Sequence, residues 1–112
     1  LVDFFYKNNF ILIPIPNLNL SKKKIGIFLK DLIKSFTIKG IVLSGGNDIK
    51  EYSSRDLVEK SLLDISKRKN IPVFGICRGM QIMADFYSIK LKKIKGHVGT
   101  RHLVYNEKNK IS

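Results

Sequence analysis

Ile71-Pro-Val-Phe-Gly-Ile-Cys77-Arg-Gly-Met-Gln81 is the stretch on which the reading of this chain turns. A short apolar run leads into a cysteine, and Arg78-Gly79-Met80-Gln81 then opens a helical pattern. A sharp turn from a buried strand into a helix places the turn side chain at the rim of a sheet. The first N–H groups of the helix point at the same spot, where they favour negative charge on a sulfur and can hold a developing oxyanion. Cys77 is the only cysteine of the chain.

Outward from that stretch, the same alternation repeats. Phe10 to Ile15 reads as a strand ending at Pro16-Asn17. Ser21 is placed to cap a helix whose apolar positions are Ile25, Phe28, Leu29, Leu32, Ile33 and Phe36, an i, i+3, i+4, i+7 stripe. Gly40-Ile-Val-Leu-Ser44 reads as a second buried strand, stopped by Gly45-Gly46. Ser53 or Ser54 can cap a second helix running to about Lys69, with Leu57, Val58, Leu62 and Ile65 inward. Ile71 to Ile76 is the third strand and Gly79 to about Tyr87 the third helix. Leu91 to Tyr105 reads as turns and short strands.

Strands that are continuous β-branched runs alternating with helices imply a parallel sheet covered on both faces. In such sheets the ligand site lies beyond the carboxyl ends of the strands. Gly45-Gly46 ends one strand and Cys77 the next, so neighbouring strands would open both loops onto one crevice.

The bulk composition sets bounds. The 112 residues fit at most one domain, and 44% are hydrophobic, as in a globular chain. No apolar run approaches the roughly 20 residues of a membrane span. A single cysteine excludes an internal disulfide framework and suits a reducing cytoplasm. The net charge is +12, from 21 Lys+Arg against 9 Asp+Glu. The lysines are scattered as Lys22-Lys23-Lys24, Lys67-Arg68-Lys69 and Lys90 to Lys95, without aromatics interleaved as in a nucleic-acid module, so they read as a solvated face.

The strand–turn–helix around Cys77 has the form of a nucleophile elbow with cysteine in place of serine. Ser44-Gly45-Gly46-Asn47-Asp48, followed by Gly75-Ile76-Cys77-Arg78-Gly79-Met80-Gln81, resembles the class I glutamine amidotransferase superfamily, and within it the γ-glutamyl hydrolases of the peptidase C26 type. Ile13-Pro14-Ile15-Pro16-Asn17, Arg55-Asp56-Leu57-Val58-Glu59 and Gly96-His97-Val98-Gly99-Thr100-Arg101-His102 are further marks of the resemblance. Gly45-Gly46-Asn47-Asp48-Ile49 and the His97 to His102 segment also look like hydrolases of bacterial surface-sugar pathways, including the γ-glutamyl-CDP-amidate type.

The resemblance implies a three-layer α/β fold with a flavodoxin-like parallel sheet, of which residues 1–112 would be a central fragment incomplete at both ends. It implies that Cys77 attacks a γ-glutamyl carbonyl to form a thioester that water resolves. Gly46 and Arg78 would supply the backbone N–H groups of the oxyanion hole. Gly45 would let the backbone approach the substrate, and Asn47, Gln81 and His102 would line the substrate pocket. One oxyanion donor is typically worth about 3 kcal/mol in the transition state.

Two departures stand beside this. The superfamily's general base is a histidine in a His-x-Glu pair, and this chain contains no such pair. Its two histidines, His97 and His102, read as pocket or structural residues rather than base or metal ligands, and neither metal nor cofactor is implied. Tyr87-Ser88-Ile89 stands where relatives often carry an Asn and a Gly-Gly turn.

Four functions are therefore weighed: a hydrolase of a small γ-glutamyl conjugate, expected to be inactive as the 112-residue piece alone; a glutaminase subunit delivering ammonia to a synthase partner; a redox-sensing relative of the same fold; and a non-catalytic remnant. Neither nucleic acid nor membrane is expected as a partner.

Overall fold

The apolar runs on either side of the second long helix lie next to each other as parallel strands. In the computed structural model, which describes residues 1–46, 49, 53–97, 99–101, 103–105 and 110–111, the elements run α1 (Val2–Lys7), α2 (Lys22–Ser35), β1 (Ile41–Leu43), α3 (Ser53–Lys69), β2 (Val73–Gly75), α4 (Arg78–Phe86), β3 (Val104–Tyr105) and β4 (Lys110–Ile111). Strands β1 and β2 pair in parallel with Ile41 opposite Val73, Val42 opposite Phe74 and Leu43 opposite Gly75. The ladder continues past its ends, with Ile41 N–H donating to the Pro72 carbonyl at 2.9 Å and Ile76 N–H to the Leu43 carbonyl at 2.8 Å. Strands β3 and β4 form a separate antiparallel pair.

Side chains alternate across a strand, so this register sorts the sheet into two faces. Ile41, Leu43 and Val73 belong to the hydrophobic core beneath the helices. On the opposite face Phe74 is 63% exposed. Among the described residues the helices thus cover one face, where continuous apolar strands led us to expect cover on both.

Each helix is explained by its sequence, with differences at the edges. The Ser21 side chain accepts from Lys24 N–H at 3.3 Å and caps α2. Ile25 and Leu29 are fully buried and Ile33 is partly so, but Phe28 and Phe36 are exposed. The α2 stripe is therefore narrower than its apolar spacing suggests. Helix α3 buries Val58, Leu62, Leu63 and Ile65 and also Glu59, Ser61 and Ser66, because it is packed against α2, α4 and β1 at once. Its buried hydroxyls turn back to the helix: Ser61 donates to the Leu57 carbonyl at 2.8 Å and Ser66 to that of Leu63 at 2.7 Å. Asn9, Asn70 and Ser88, just past the ends of α1, α3 and α4, have φ of 63°, 53° and 57°, the left-handed turn that ends many helices.

The expected strand at Phe10 to Ile15 does not form. Pro14 and Pro16 lack the N–H groups a ladder requires, and Ile11 is almost wholly exposed. Ile15, and Leu18 beyond it, pack partly on the core.

Candidate active site

The site is a tight strand-to-helix turn with a second turn beside it. Strand β2 ends at Gly75, and Cys77 then takes φ 50° and ψ −108° as the N-cap of α4. Such a backbone costs a residue other than glycine about 1–3 kcal/mol, and it persists only where the surroundings enforce it. Here they do. Gly79 N–H donates to the Ile76 carbonyl at 2.8 Å, and Met80 and Gln81 N–H groups donate to the Cys77 carbonyl at 3.0 and 3.3 Å. The Cys77 side chain is left exposed at the carboxyl end of the strand.

Two glycines allow the turn to be this close. A Cβ on Gly79 would overlap the Leu43 carbonyl, and one on Gly75 would come within 2.8 Å of the Gly79 backbone and the Met83 sulfur. The start of α4 is thereby seated directly on the strand pair.

Because β1 and β2 are neighbours, the turn after β1 lies beside the cysteine. A Cβ on Gly45 would be 3.7 Å from Cys77 Cβ. Gly46 has φ +151°, and a Cβ there would overlap Nη1 of Arg55. Arg55 Nη2 donates to the Ser44 carbonyl at 3.0 Å and the Gly45 carbonyl at 3.1 Å, while its Nε donates to Glu59 Oε1 at 2.9 Å.

Arg78 faces inward. Its side chain is 1% exposed and pairs with Glu59 Oε2 through Nη1 and with Asp56 Oδ1 through Nη2. Its buried Nε has no hydrogen-bond partner among the described residues. An interior guanidinium is tolerated only when paired, and the two carboxylates lie one helical turn apart on α3 to supply that pairing.

The structure therefore brings together Cys77, Gly45, Gly46 and Arg78. Gln81 stands half-buried one turn further along α4. Asn47 and His102 fall outside the described residues. His97 is exposed in a turn that Thr100 closes by donating to the carbonyls of Gly96 and His97 at 3.2 and 3.0 Å. A groove of about 420 Å³ lies elsewhere, lined by Lys22, Leu57, Lys60, Asp64 and Arg68 among others, and does not include Cys77. Sequence reasoning took Arg55, Asp56 and Glu59 only as marks of resemblance. The signal for more was two acidic residues three apart on a helix whose neighbours are apolar.

Comparison with known proteins fits this geometry. The profile of the family described as glutamine amidotransferase class-I matches residues 15–112. The γ-glutamyl-CDP-amidate hydrolase of Campylobacter jejuni is 33% identical over 108 residues, covering 77% of this chain and 54% of that protein. The glutamine-hydrolysing GMP synthase of Plasmodium falciparum is 40% identical over 73 residues, 65% of this chain and 13% of that protein. A subunit of the glutamine-hydrolysing GMP synthase of Methanococcus aeolicus is 41% identical over 59 residues, 53% of this chain and 28% of that protein. The chain thus spans about half or less of the length of these relatives. No solved structure matches significantly. Among the described residues no helix is long and apolar enough to cross a membrane.

Proposed function

The chain belongs to the class I glutamine amidotransferase family, and from that membership we propose that the whole protein hydrolyses a γ-glutamyl amide with Cys77 as nucleophile. The Cys77 sulfur attacks the γ-carbonyl carbon. The carbonyl oxygen becomes an oxyanion, held by the N–H groups of Gly46 and Arg78. The C–N bond then breaks, the leaving nitrogen takes a proton, and a γ-glutamyl thioester remains. Water adds to the thioester, releasing glutamate and the thiol. Gln81, with Asn47 and His102, borders the glutamyl group, and Gly45 keeps the approach open. The proton transfers need a base, and no His-x-Glu pair occurs in these 112 residues to provide it.

The observation that carries this reading is Cys77 at φ 50° and ψ −108° with its Cβ 3.7 Å from where a Gly45 side chain would begin. A strained cysteine turned out of a strand and set against a glycine turn has the layout of a covalent acyl-transfer site. The substrate class we favour is a small γ-glutamyl conjugate of the γ-glutamyl-CDP-amidate kind, because the Campylobacter hydrolase matches 77% of the chain. For the whole domain we propose a flavodoxin-like three-layer sheet, supported by the uncovered apolar face that carries Phe74, and a cytoplasmic setting, in keeping with one exposed thiol.

The test is turnover of γ-glutamyl amides by the whole protein. Cys77→Ser should abolish it, and a diazo-ketone analogue of glutamine should alkylate Cys77 stoichiometrically, slowed by competing substrate. Labelling at the rate of a generic thiol reagent would instead favour a redox-sensing or non-catalytic protein. The GMP synthase relatives support a second reading, a glutaminase that passes ammonia to a synthase partner. That protein would be slow until the partner is added, whereas a hydrolase works alone.

A further inference from the structure

We propose that Arg55 is a positioning residue that fixes the orientation of the Gly46 N–H opposite Cys77. The inference rests on the reading of Cys77 as nucleophile. Gly45 C=O and Gly46 N–H belong to one peptide unit, and among the described residues no peptide bond is cis. In a trans unit the two point in opposite directions. Arg55 Nη2 holds the Gly45 carbonyl at 3.1 Å and the Ser44 carbonyl at 3.0 Å. Anchoring that carbonyl on the Arg55 side turns the Gly46 N–H to the side away from Arg55. A glycine turn left to itself has no such preference, because glycine backbones rotate freely.

Arg55 is itself held. Its Nε donates to Glu59 Oε1 at 2.9 Å, and Glu59 Oε2 accepts from Arg78, the residue that follows Cys77. One carboxylate therefore registers the turn after β1 against the start of α4. These are the two segments that carry the proposed oxyanion donors. The Arg55–Glu59 contact has the i, i+4 spacing of an ordinary helix-surface ion pair, which is worth about 0.3–0.5 kcal/mol. Two features set it apart: the Arg55 side chain is only 20% exposed, and its Nη2 is occupied by a loop 10 and 11 residues away. The planar fork matters here. A lysine can reach the carbonyls or Glu59, but not both.

The experiment compares Arg55→Gln and Arg55→Lys with the unaltered whole protein on a γ-glutamyl amide. A misaimed oxyanion donor lowers kcat, and loss of a donor outright costs roughly 100- to 1,000-fold. We expect about a 30-fold fall in kcat for Arg55→Gln with KM changed less than threefold, and a smaller fall for Arg55→Lys. Alkylation of Cys77 by iodoacetamide, which has no oxyanion to stabilise, should stay within about twofold, while diazo-ketone labelling slows with kcat. An Arg55→Gln protein whose kcat is unchanged overturns the proposal. So does one in which iodoacetamide labelling and kcat fall together, since that marks a general loss of structure. Arg55→Lys, which keeps the charge, carries the same comparison where Arg55→Gln does not fold. Cys77→Ser run alongside separates the two levels. If it retains turnover, the nucleophile reading fails; if it is dead and Arg55→Gln is fully active, only the role of Arg55 fails.

Discussion

Gly79 meets Leu43 across the site with its backbone lying against the Leu43 carbonyl and no room for a side chain between them. The contact joins the helix that begins at Cys77 to the strand whose loop lies beside it. Gly79→Ala should therefore destabilise the protein by about 2–3 kcal/mol, since neither partner is a movable side chain. Gly26→Ala in α2, where a Cβ meets nothing within 4 Å, should stabilise by about 0.5–1 kcal/mol from helix propensity. Paired denaturant titrations check both.

Glu59 is predicted to be far more costly to remove than a surface carboxylate. Glu59→Ala leaves the Arg78 guanidinium buried with Asp56 as its remaining ion-pair partner, and truncating one member of a buried pair costs about 3–5 kcal/mol. The surface pair of Arg68 with Asp64, 2.8 Å apart and more than half exposed on both sides, should cost under about 1 kcal/mol when Asp64 is replaced by Ala. Equal effects in the two variants would show that burial does not govern these ion pairs.

Cys77→Gly should separate stability from activity. Glycine adopts φ 50° and ψ −108° at little steric cost, so the variant should be inactive yet no less stable than the parent, and up to about 1 kcal/mol more stable. A lower melting temperature would mean that the sulfur makes contacts that outweigh the backbone strain.

Ser88 offers a second test of backbone strain, away from the site. Its φ is 57°, just past the end of α4. Ser88→Gly should raise stability by about 0.5–1 kcal/mol, the left-handed penalty less the extra freedom of the unfolded glycine.

Gly46→Val should reduce kcat more sharply than a change of the same size on the surface. Arg55 Nη1 occupies the place where the Cβ would be. The displaced arginine would release the Gly45 carbonyl. Steady-state kinetics of Gly46→Val should therefore resemble those of Arg55→Gln, with kcat falling further than KM changes.

What the sequence made legible was local. The turn at Cys77 followed from an apolar run meeting Arg78-Gly79, and Ser21 announced the start of α2. That Gly45-Gly46 and Cys77 end two apolar runs was legible; that β1 and β2 are neighbours entered the reading only as a condition, and the structure supplies it. Phe10 to Ile15 was misread because hydrophobicity outweighed two prolines in that reading, and because a strand needs a neighbour that composition does not reveal. Phe28 and Phe36 were misread because spacing gives the angular width of a stripe, not how much of it a neighbour covers. The Arg78 pairs join residues 19 and 22 positions apart, a separation that no periodicity reports. Among the assigned site residues, Asn47 and His102 lie outside the described residues.

Gly75 does more than leave space beneath α4. A slip of one residue in the pairing of β1 with β2 would bring Phe74 under the helix, where even a single methyl group is refused. The one-residue slip is thus refused by the packing of α4 on β2. The position of Cys77 beside the glycine turn is in this sense proofread by the absence of a side chain two positions earlier.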